Sequence, residues 1–179
     1  MAANDMAAKW DAFCDTLKAA GQELTQDHVP NDEQSQAEGL RYLSRMARAA
    51  LEWYVEFNDA AFPVLYQPAH ETIKLGADNP DNVYQKAVID GHFDYRLTGR
   101  RGSIDYISFA TSKGSYAENF KQIETGFLDS NTLDIDADGN FEIILSAHTQ
   151  SGNWLPMDTE SESLLIRQTF LDRSIEVPA

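Results

Sequence analysis

The sequence predicts an α+β protein, in which an N-terminal helical pair is followed by an antiparallel β-sandwich of jelly-roll-like form. Before Pro63, apolar residues recur every three or four positions, as they do on one face of a helix. After Pro63 the segments become short, rich in β-branched and aromatic residues, and separated by Gly, Asn and Asp, which is typical of strands and turns. We therefore expect a helical region over 1–62, a connecting loop over 63–82 and the sandwich over 83–179.

The first helix is expected over residues 5–24. Its apolar stripe has spacings of four, three and four, and consists of Met6, Trp10, Phe13 and Leu17. Cys14 lies beside this stripe, in surroundings that contain no motif of a catalytic cysteine. We interpret it as a small buried hydrophobe.

The second helix is expected over residues 31–58, with Asn31 or Asp32 as its N-cap. Two neighbouring apolar lines run along it: Leu40, Leu43, Ala47, Leu51 and Tyr54 on one, and Tyr42, Met46, Ala50, Trp53 and Phe57 on the other. Together they form a face wider than a helix that rests on one surface needs. The helix therefore either lies between two layers of this chain or contacts another subunit, and the second alternative predicts a homo-oligomer through helix 31–58.

Six segments are expected to be strands: VYQKAVID, HFDYRLTG, SIDYISFAT, NTLDID, NFEIILSA and SLLIRQTFL. The second and third are expected to form a hairpin about residues 100–101. This hairpin would pair Tyr95 with Tyr106 on a mostly apolar face. On the other face it would pair Arg96 with Asp105.

The polar face of this hairpin supplies the candidate catalytic residues. Because alternate strand residues project together, His92, Asp94 and Arg96 would form an acid–base or anion-binding row. The alternative is a structural ion pair between Arg96 and Asp105 on a solvated face.

The stretch DIDADGN, residues 134–140, begins like the loop of a calcium-binding helix–loop–helix motif. That loop also requires flanking helices and a glutamate at its last position, where this chain has Leu145. Gly139 suits the positive φ of a hairpin turn, with Ile135 and Phe141 beginning the strands on either side. The sequence therefore predicts a turn here and no metal site.

Tyr84, Trp154 and Arg167 are the candidate ligand-binding residues. Trp154 follows a Gly–Asn turn and would either stack on a ligand or anchor a loop over the core. Arg167 lies inside the last expected strand, so its guanidinium must reach solvent, an acidic partner or a bound anion. The histidines are scattered and no G-x-S-x-G motif occurs, so neither a zinc protease nor a serine hydrolase is predicted, and no cofactor is expected.

The chain contains 29 acidic residues and 14 lysines and arginines, which gives a formal net charge of −15. Such a charge opposes binding to nucleic acid or to an anionic membrane, so neither is expected as a partner. The first residues lack a secretory pattern, no stretch approaches bilayer-spanning length, and Cys14 is the only cysteine. We therefore expect a cytoplasmic protein.

Five short signatures occur in order along the β-rich part: NPDNVY at 79–84, YRLTGRRGS at 95–103, DADGNFEIILS at 136–146, GNWLP at 152–156 and LIRQTFLDR at 165–173. In these signatures the chain resembles a group of bacterial proteins related to the domain of unknown function 1214. The resemblance spans residues 79–176 and implies a β-sandwich with helical additions. It implies no established activity and supplies no catalytic residues. Because members of that group tend to be longer, it also implies a short member or a fragment.

The sequence favours a non-catalytic function, either the binding of a small molecule or a part in an assembly. The expected contacts are Tyr84, Arg96, Trp154 and Arg167. One alternative is an enzyme, or an accessory domain of an enzyme, acting on a small organic substrate. The other is a purely structural module that self-associates through helix 31–58.

These alternatives predict different geometry. An enzyme would need His92 and Asp94 to face a concave pocket rather than bulk water. A binding module should show an apolar pocket that contains Trp154 or Arg167.

Overall fold

The computed structural model describes residues 3–114 and 121–179, and the chain divides into two compact units, Met1–Glu52 and Trp53–Ala179. The first unit contains helix α1 (Ala3–Gln22), a 3₁₀ turn (Glu23–Thr25) and helix α2 (Glu33–Leu51). A π-helical turn (Glu52–Glu56) continues α2. None of the described helices is both long and apolar enough to cross a membrane.

The N-cap of α2 is Asp32, the second of the two predicted cap residues. Its carboxylate accepts a hydrogen bond from the backbone N–H of Ser35 at 2.9 Å, which satisfies one of the free donors of the first turn. The hydroxyl and the backbone N–H of Ser35 both favour the charged carboxylate, the hydroxyl more strongly, and hold the pKa of Asp32 below its ordinary value. Further along α2, Gly39 lies close to Leu24, and a Cβ there would come within 2.9 Å of a leucine methyl group.

The predicted apolar stripe of α1 is exposed. The relative exposures are 57% for Met6, 65% for Trp10, 37% for Phe13 and 40% for Leu17. The Trp10 and Phe13 rings contact each other, with centroids 5.6 Å apart, and Cys14 is half-buried. Helix α1 therefore leaves a continuous hydrophobic surface in contact with solvent.

The second unit contains seven strands among its described residues: β1 (Asn82–Val88), β2 (Tyr95–Arg100), β3 (Tyr106–Lys113), β4 (Ile123–Asp129), β5 (Asn140–Ser146), β6 (Trp154–Pro156) and β7 (Ser163–Thr169). They form a four-stranded sheet in the order β1-β7-β3-β4 and a three-stranded sheet in the order β2-β5-β6. All the pairings are antiparallel except β5–β6, which is parallel. The predicted α+β class, with two N-terminal helices before a β-sandwich, is confirmed.

The hydrophobic core of the sandwich draws on both sheets. It consists of Ala87, Ile89, Ile104, Ile107, Phe109, Leu133, Phe141, Ile143, Leu145, Leu155, Met157, Leu164, Ile166 and Phe170. At its centre, Phe109 of β3 and Phe141 of β5 meet edge to face, with ring centroids 5.8 Å apart. Alternation along each strand thus separates the core side chains from those on the outer faces.

The predicted hairpin about residues 100–101 is wrong, because β2 and β3 belong to different sheets. Tyr95 pairs with Leu145 of β5 rather than with Tyr106, and Arg96 pairs with Ile144 rather than with Asp105. The connection has its own backbone partner, since Ser103 donates its N–H to the carbonyl of Val177. Crossing between the sheets lets β2 and β3 bury their apolar sides against the same core from opposite directions.

The predicted turn at DIDADGN is present, with Gly139 at φ 84°. Gly139 donates its N–H to the carbonyl of Asp136, and Asp136 donates its own to the carbonyl of Asn140. The preceding segment NTLDID, however, forms no strand, so the expectation of a strand beginning at Ile135 is wrong. The Asn153 side chain lies between this segment and β5 instead: it accepts a hydrogen bond from the N–H of Asp134 at 2.7 Å and donates to the carbonyls of Asp134 and Glu142, at 2.8 and 3.0 Å.

Candidate functional site

The predicted row of His92, Asp94 and Arg96 does not form. His92 and Asp94 precede β2 in an exposed turn, and only Arg96 lies in the strand. The imidazole of His92 contacts the Asp90 carboxylate at 2.7 Å, and its side chain is 72% exposed. The guanidinium of Arg96 lies 3.9 Å from the Glu142 carboxylate and is also mostly exposed. The three predicted side chains therefore do not converge, and the contact that His92 makes is with Asp90 on an exposed turn.

The acidic turn uses its carboxylates to hold its own backbone. Asp136 accepts hydrogen bonds from the N–H groups of Asp138 and Asn140, at 2.9 and 2.8 Å. These bonds keep the pKa of the Asp136 carboxyl below its ordinary value. Within residues 3–114 and 121–179, no group of three or more His, Cys, Asp and Glu side chains is placed to hold a metal ion.

Trp154, the first residue of β6, is partly buried, and its polar atom is engaged by the protein. The indole N–H donates a hydrogen bond to the carbonyl of Ser146 at 3.0 Å. This contact ties β6 to the end of β5 and fits the anchoring interpretation of Trp154.

Tyr84 and Arg167 are brought together by the register of the four-stranded sheet. Tyr84 of β1 lies opposite Arg167 of β7, which in turn lies opposite Ser108 of β3, and Ser108 lies opposite Asp129 of β4. Directly opposed residues project from the same side of a sheet. Because the intervening positions belong to the hydrophobic core, this row lies on the face directed away from the core, which we term the outer face.

Arg167 is partly buried on the outer face, and its guanidinium has no hydrogen bond or ion pair with any described residue. The acid of the same row is already engaged, since Tyr106 donates its hydroxyl to Asp129 Oδ2 at 2.8 Å. Asp129 also accepts a hydrogen bond from the N–H of Asn131 at 2.9 Å. Both bonds favour the ionised form and hold the pKa of Asp129 below its ordinary value.

Lys86 is a second cation on the outer face that is partly buried and has no ion pair with a described residue. Burial lowers the pKa of its ammonium group, and the charge of Glu162 opposes this effect without reaching ion-pair distance. The Glu162 carboxylate instead accepts a hydrogen bond from the N–H of Gly114. By contrast, Lys113 at the end of β3 forms ion pairs with Asp158 and Glu160, at 2.9 and 2.6 Å.

An aromatic cluster borders Lys86. The backbones of Tyr66 and Lys86 exchange two hydrogen bonds, of 2.9 and 2.7 Å, so the two side chains project from the same face. Tyr66 stacks on Phe57, with ring centroids 5.5 Å apart, and on Trp53, at 6.2 Å. Burial raises the pKa of Tyr66 to about 12, so the hydroxyl of this ring is poorly solvated.

We term Tyr84, Lys86 and Arg167 the basic site. Lys86 and Arg167 are diagonal neighbours across β1 and β7, an arrangement that places such residues about 7–8 Å apart. The hydroxyl of Tyr84 accepts hydrogen bonds from Asn79 and Asn82, and its own proton remains to be donated. The site therefore offers two positive charges and a hydroxyl donor, the groups that bind a carboxylate or a phosphate.

Sequence reasoning selected Tyr84 and Arg167 but missed Lys86. The signal was present, because Tyr84 and Lys86 alternate in VYQKAV and must share a face in any strand. Only the register of β1 against β7 shows that this face is the one that Arg167 occupies.

Comparison with known proteins finds a similar fold and gives no activity. No family model matches the chain, and no curated protein does. An uncharacterized protein from Burkholderia cenocepacia has a solved structure that is 53% identical, with a TM-score of 0.88 over 95% of this chain. This chain spans about half of it, 47% of its length. A protein from Vibrio parahaemolyticus has a solved structure that is 15% identical, with a TM-score of 0.45. The match covers 84% of this chain and 44% of that protein's chain. The relationship to the domain of unknown function 1214 stays a prediction.

Proposed function

We propose that this protein is a non-catalytic binding module whose ligand is a small organic anion held at the basic site. The observation that carries the proposal is that Lys86 and Arg167, two partly buried cations on one sheet face, have no ion pair with any described residue. The chain contains 29 acidic and only 14 basic Lys and Arg residues, so internal partners for cations are abundant. Leaving two cations without one suggests that an external anion is the partner.

Desolvation gives the physical reason. A cation that is removed from water loses solvation free energy unless a hydrogen-bonded anion replaces it. Arg167 can hold a carboxylate through two parallel N–H donors, while Lys86 acts as a point charge. A ligand bound there gains more from each charge than it would on a fully solvated surface.

The alternative of an enzyme acting through His92, Asp94 and Arg96 has less support, because these three side chains do not converge. A binding module was expected to have an apolar pocket that contains Trp154 or Arg167. The sandwich has an apolar pocket, but neither residue lines it. The support for binding comes from charge rather than from that pocket.

Thermal melting of the full chain, with and without sodium benzoate, acetate or phosphate, tests the proposal. An anion present at 100 times its Kd stabilises the native state by about 2.7 kcal/mol. That corresponds to a rise in Tm of roughly 5–10 °C for a chain of this size. In the absence of anion, the variants Lys86→Met and Arg167→Leu should each have a higher Tm than the parent. Both should lose the rise in Tm that the anion gives.

The matched control is Arg100→Leu, which removes an exposed strand arginine from the other sheet and should keep the rise. A rise that survives in both Lys86→Met and Arg167→Leu would mean that the anion binds elsewhere. The absence of a rise with every anion would contradict the proposal as well.

Self-association is the second candidate function, because apolar side chains of both helices are exposed. In the predicted helix 31–58 these are Leu40, Tyr42, Leu51, Tyr54 and Val55, with exposures between 47% and 65%. Leu51→Glu or Tyr54→Glu should then convert dimers to monomers in analytical ultracentrifugation without lowering helix content. A parent protein that sediments as a monomer at all concentrations would exclude this candidate.

We further propose a bacterial, cytoplasmic protein that does not bind nucleic acid or membranes. The support is the formal net charge of −15 together with the single cysteine.

A further inference from the structure

A pocket of about 160 Å³ opens at one edge of the sandwich, and we term it the edge pocket. The edge is formed by β1 and β2, each of which is the outermost strand of its own sheet. The pocket is lined by Pro63, Leu65, Ala87, Ile89, Tyr95, Arg96, Leu97, Leu145 and Leu164. Nearly all of these side chains are apolar, and they come from both sheets.

The inner wall of the edge pocket belongs to the hydrophobic core. Ala87, Ile89, Leu145 and Leu164 are all at most 4% exposed, and all are members of the core cluster. A guest in the pocket would therefore lie directly against the core, where water finds no hydrogen-bond partners.

The solvent side of the pocket is a short segment that connects Phe57 to Tyr66, two members of the aromatic cluster. Pro63 and Leu65 line the pocket from this segment, and Leu65 is itself 40% exposed. The segment is held by Tyr95, whose hydroxyl donates a hydrogen bond to the carbonyl of Ala60 at 3.0 Å.

We propose that the edge pocket is a binding site for a compact apolar group, namely a single aromatic ring. Its volume is close to the roughly 150 Å³ of an engineered protein cavity that stays dry and binds benzene. The Tyr95 hydroxyl is engaged with the backbone of Ala60 and Asp90, so no free donor faces the guest. Arg96 also borders the pocket, but its side chain alternates with Tyr95 and Leu97 and points away from the core towards Glu142, so its charge does not face the guest.

The edge pocket is independent of the basic site. Ala87 faces the core, whereas Lys86, its neighbour in β1, faces the outer side of the same sheet. A molecule in one site therefore does not occupy the other, and either assignment can fail alone.

Binding of fluorobenzene and of naphthalene to the full chain, followed by ¹⁹F NMR and by fluorescence, tests the proposal. Fluorobenzene should bind saturably to the parent protein. Ala87→Leu fills the pocket and should lower the affinity for fluorobenzene at least tenfold. Val88→Phe is the matched control, because it also enlarges a side chain by several carbons, but on the opposite face of β1, and it should leave binding unchanged.

Leu97→Ala provides a second variant should Ala87→Leu not fold. It enlarges the pocket and should strengthen naphthalene binding at least tenfold over the parent. The absence of saturable fluorobenzene binding by the parent would overturn the proposal. Equal affinities in the parent and in Leu97→Ala would overturn it too, because the guest would then lie elsewhere.

Discussion

Tyr84 and Arg167 lie opposite each other on β1 and β7, with both side chains on the outer face of the four-stranded sheet. The two residues are far apart in the chain, and no sequence motif connects them. Their pairing puts a tyrosine, whose hydroxyl still has its proton to donate, on the same sheet face as an arginine that has no partner among the described residues. This relationship, together with Lys86 one pair further along, makes the outer face the best-supported place for an anionic ligand.

The titration of Lys86 should make stability depend on pH in the alkaline range. Burial lowers its pKa in the folded chain below the ordinary 10.5. At pH values below the pKa of Lys86 in the folded chain, the folded and the unfolded chain both carry the proton. The free-energy cost of burying the charged ammonium group then lowers stability in full. As pH rises through that pKa towards 10.5, the folded chain releases the proton first, so stability increases.

The measurement is the difference in free energy of unfolding between the parent and Lys86→Met, from urea denaturation at pH values between neutral and 10.5. As pH rises, the parent should gain stability relative to Lys86→Met. Ionisation of the tyrosines affects both proteins equally, so it cancels in the difference. A difference that stays constant over this range would show that Lys86 is solvated like an ordinary surface lysine.

Tyr106→Phe should raise the pKa of the Asp129 carboxyl towards its ordinary value. The Tyr106 hydroxyl is the largest cause of the lowered pKa, and the hydrogen bond of Asn131 should keep part of the effect. Because the lowered pKa stabilises the fold above the ordinary value, that stabilisation disappears as pH falls through the folded pKa. The variant should therefore lose less stability on acidification than the parent.

Carbon-detected NMR of the Asp129 carboxyl group measures this pKa directly. Tyr84→Phe is the matched control, since it removes a hydroxyl from the same outer face that bonds Asn79 and Asn82 instead. An unchanged Asp129 pKa in Tyr106→Phe would mean that the hydrogen bond is not populated in solution.

The fold class followed from local patterns, and the strand partners did not. The cap at Asp32 and the turn at Gly139 are decided by hydrogen bonds within a few residues, which a sequence displays directly. Alternation in β2 shows which side chains face the core, but it cannot show whether the neighbouring strand is β3 or β5. That choice depends on how the whole core closes.

The candidate site was partly predictable for the same reason. Arg167 was selected because an arginine inside a strand needs a partner, which is a local argument. The acid of its row, Asp129, is engaged by Tyr106, and this contact depends on the pairing of β3 with β4, which the local pattern does not show. His92 and Asp94 were misplaced because the start of β2 at Tyr95 leaves both of them in a turn.

Trp154→Phe should lower stability modestly and leave anion binding unchanged. The substitution removes the hydrogen bond from the indole N–H to the carbonyl of Ser146, which still accepts one from Met157. A net hydrogen bond of this kind contributes about 0.5–1.5 kcal/mol. Urea denaturation followed by circular dichroism measures the loss, and loss of the anion-dependent rise in Tm would instead assign Trp154 to the ligand site.

Gly126→Ala should be destabilising, because Gly126 of β4 lies directly against the backbone of Pro156 in β6, a strand of the other sheet. A Cβ at this position would overlap the backbone carbonyl oxygen of Pro156 in β6 and come within 2.9 Å of the Thr111 hydroxyl. That hydroxyl donates a hydrogen bond to the same carbonyl at 2.7 Å, so neither group can move without breaking a contact between the sheets. Overpacking of this kind costs about 1–3 kcal/mol.

Gly21→Ala is the matched control for this substitution. A Cβ at Gly21 meets only a Leu43 methyl group, at 4.0 Å, and alanine favours a helix over glycine by about 0.5–1 kcal/mol. Urea denaturation should therefore move the midpoint of Gly126→Ala down, while Gly21→Ala leaves it unchanged or moves it up. Equal midpoints for the parent and Gly126→Ala would mean that β4 and β6 are further apart in solution, and that the contact between Thr111 and Pro156 does not set the spacing of the sheets.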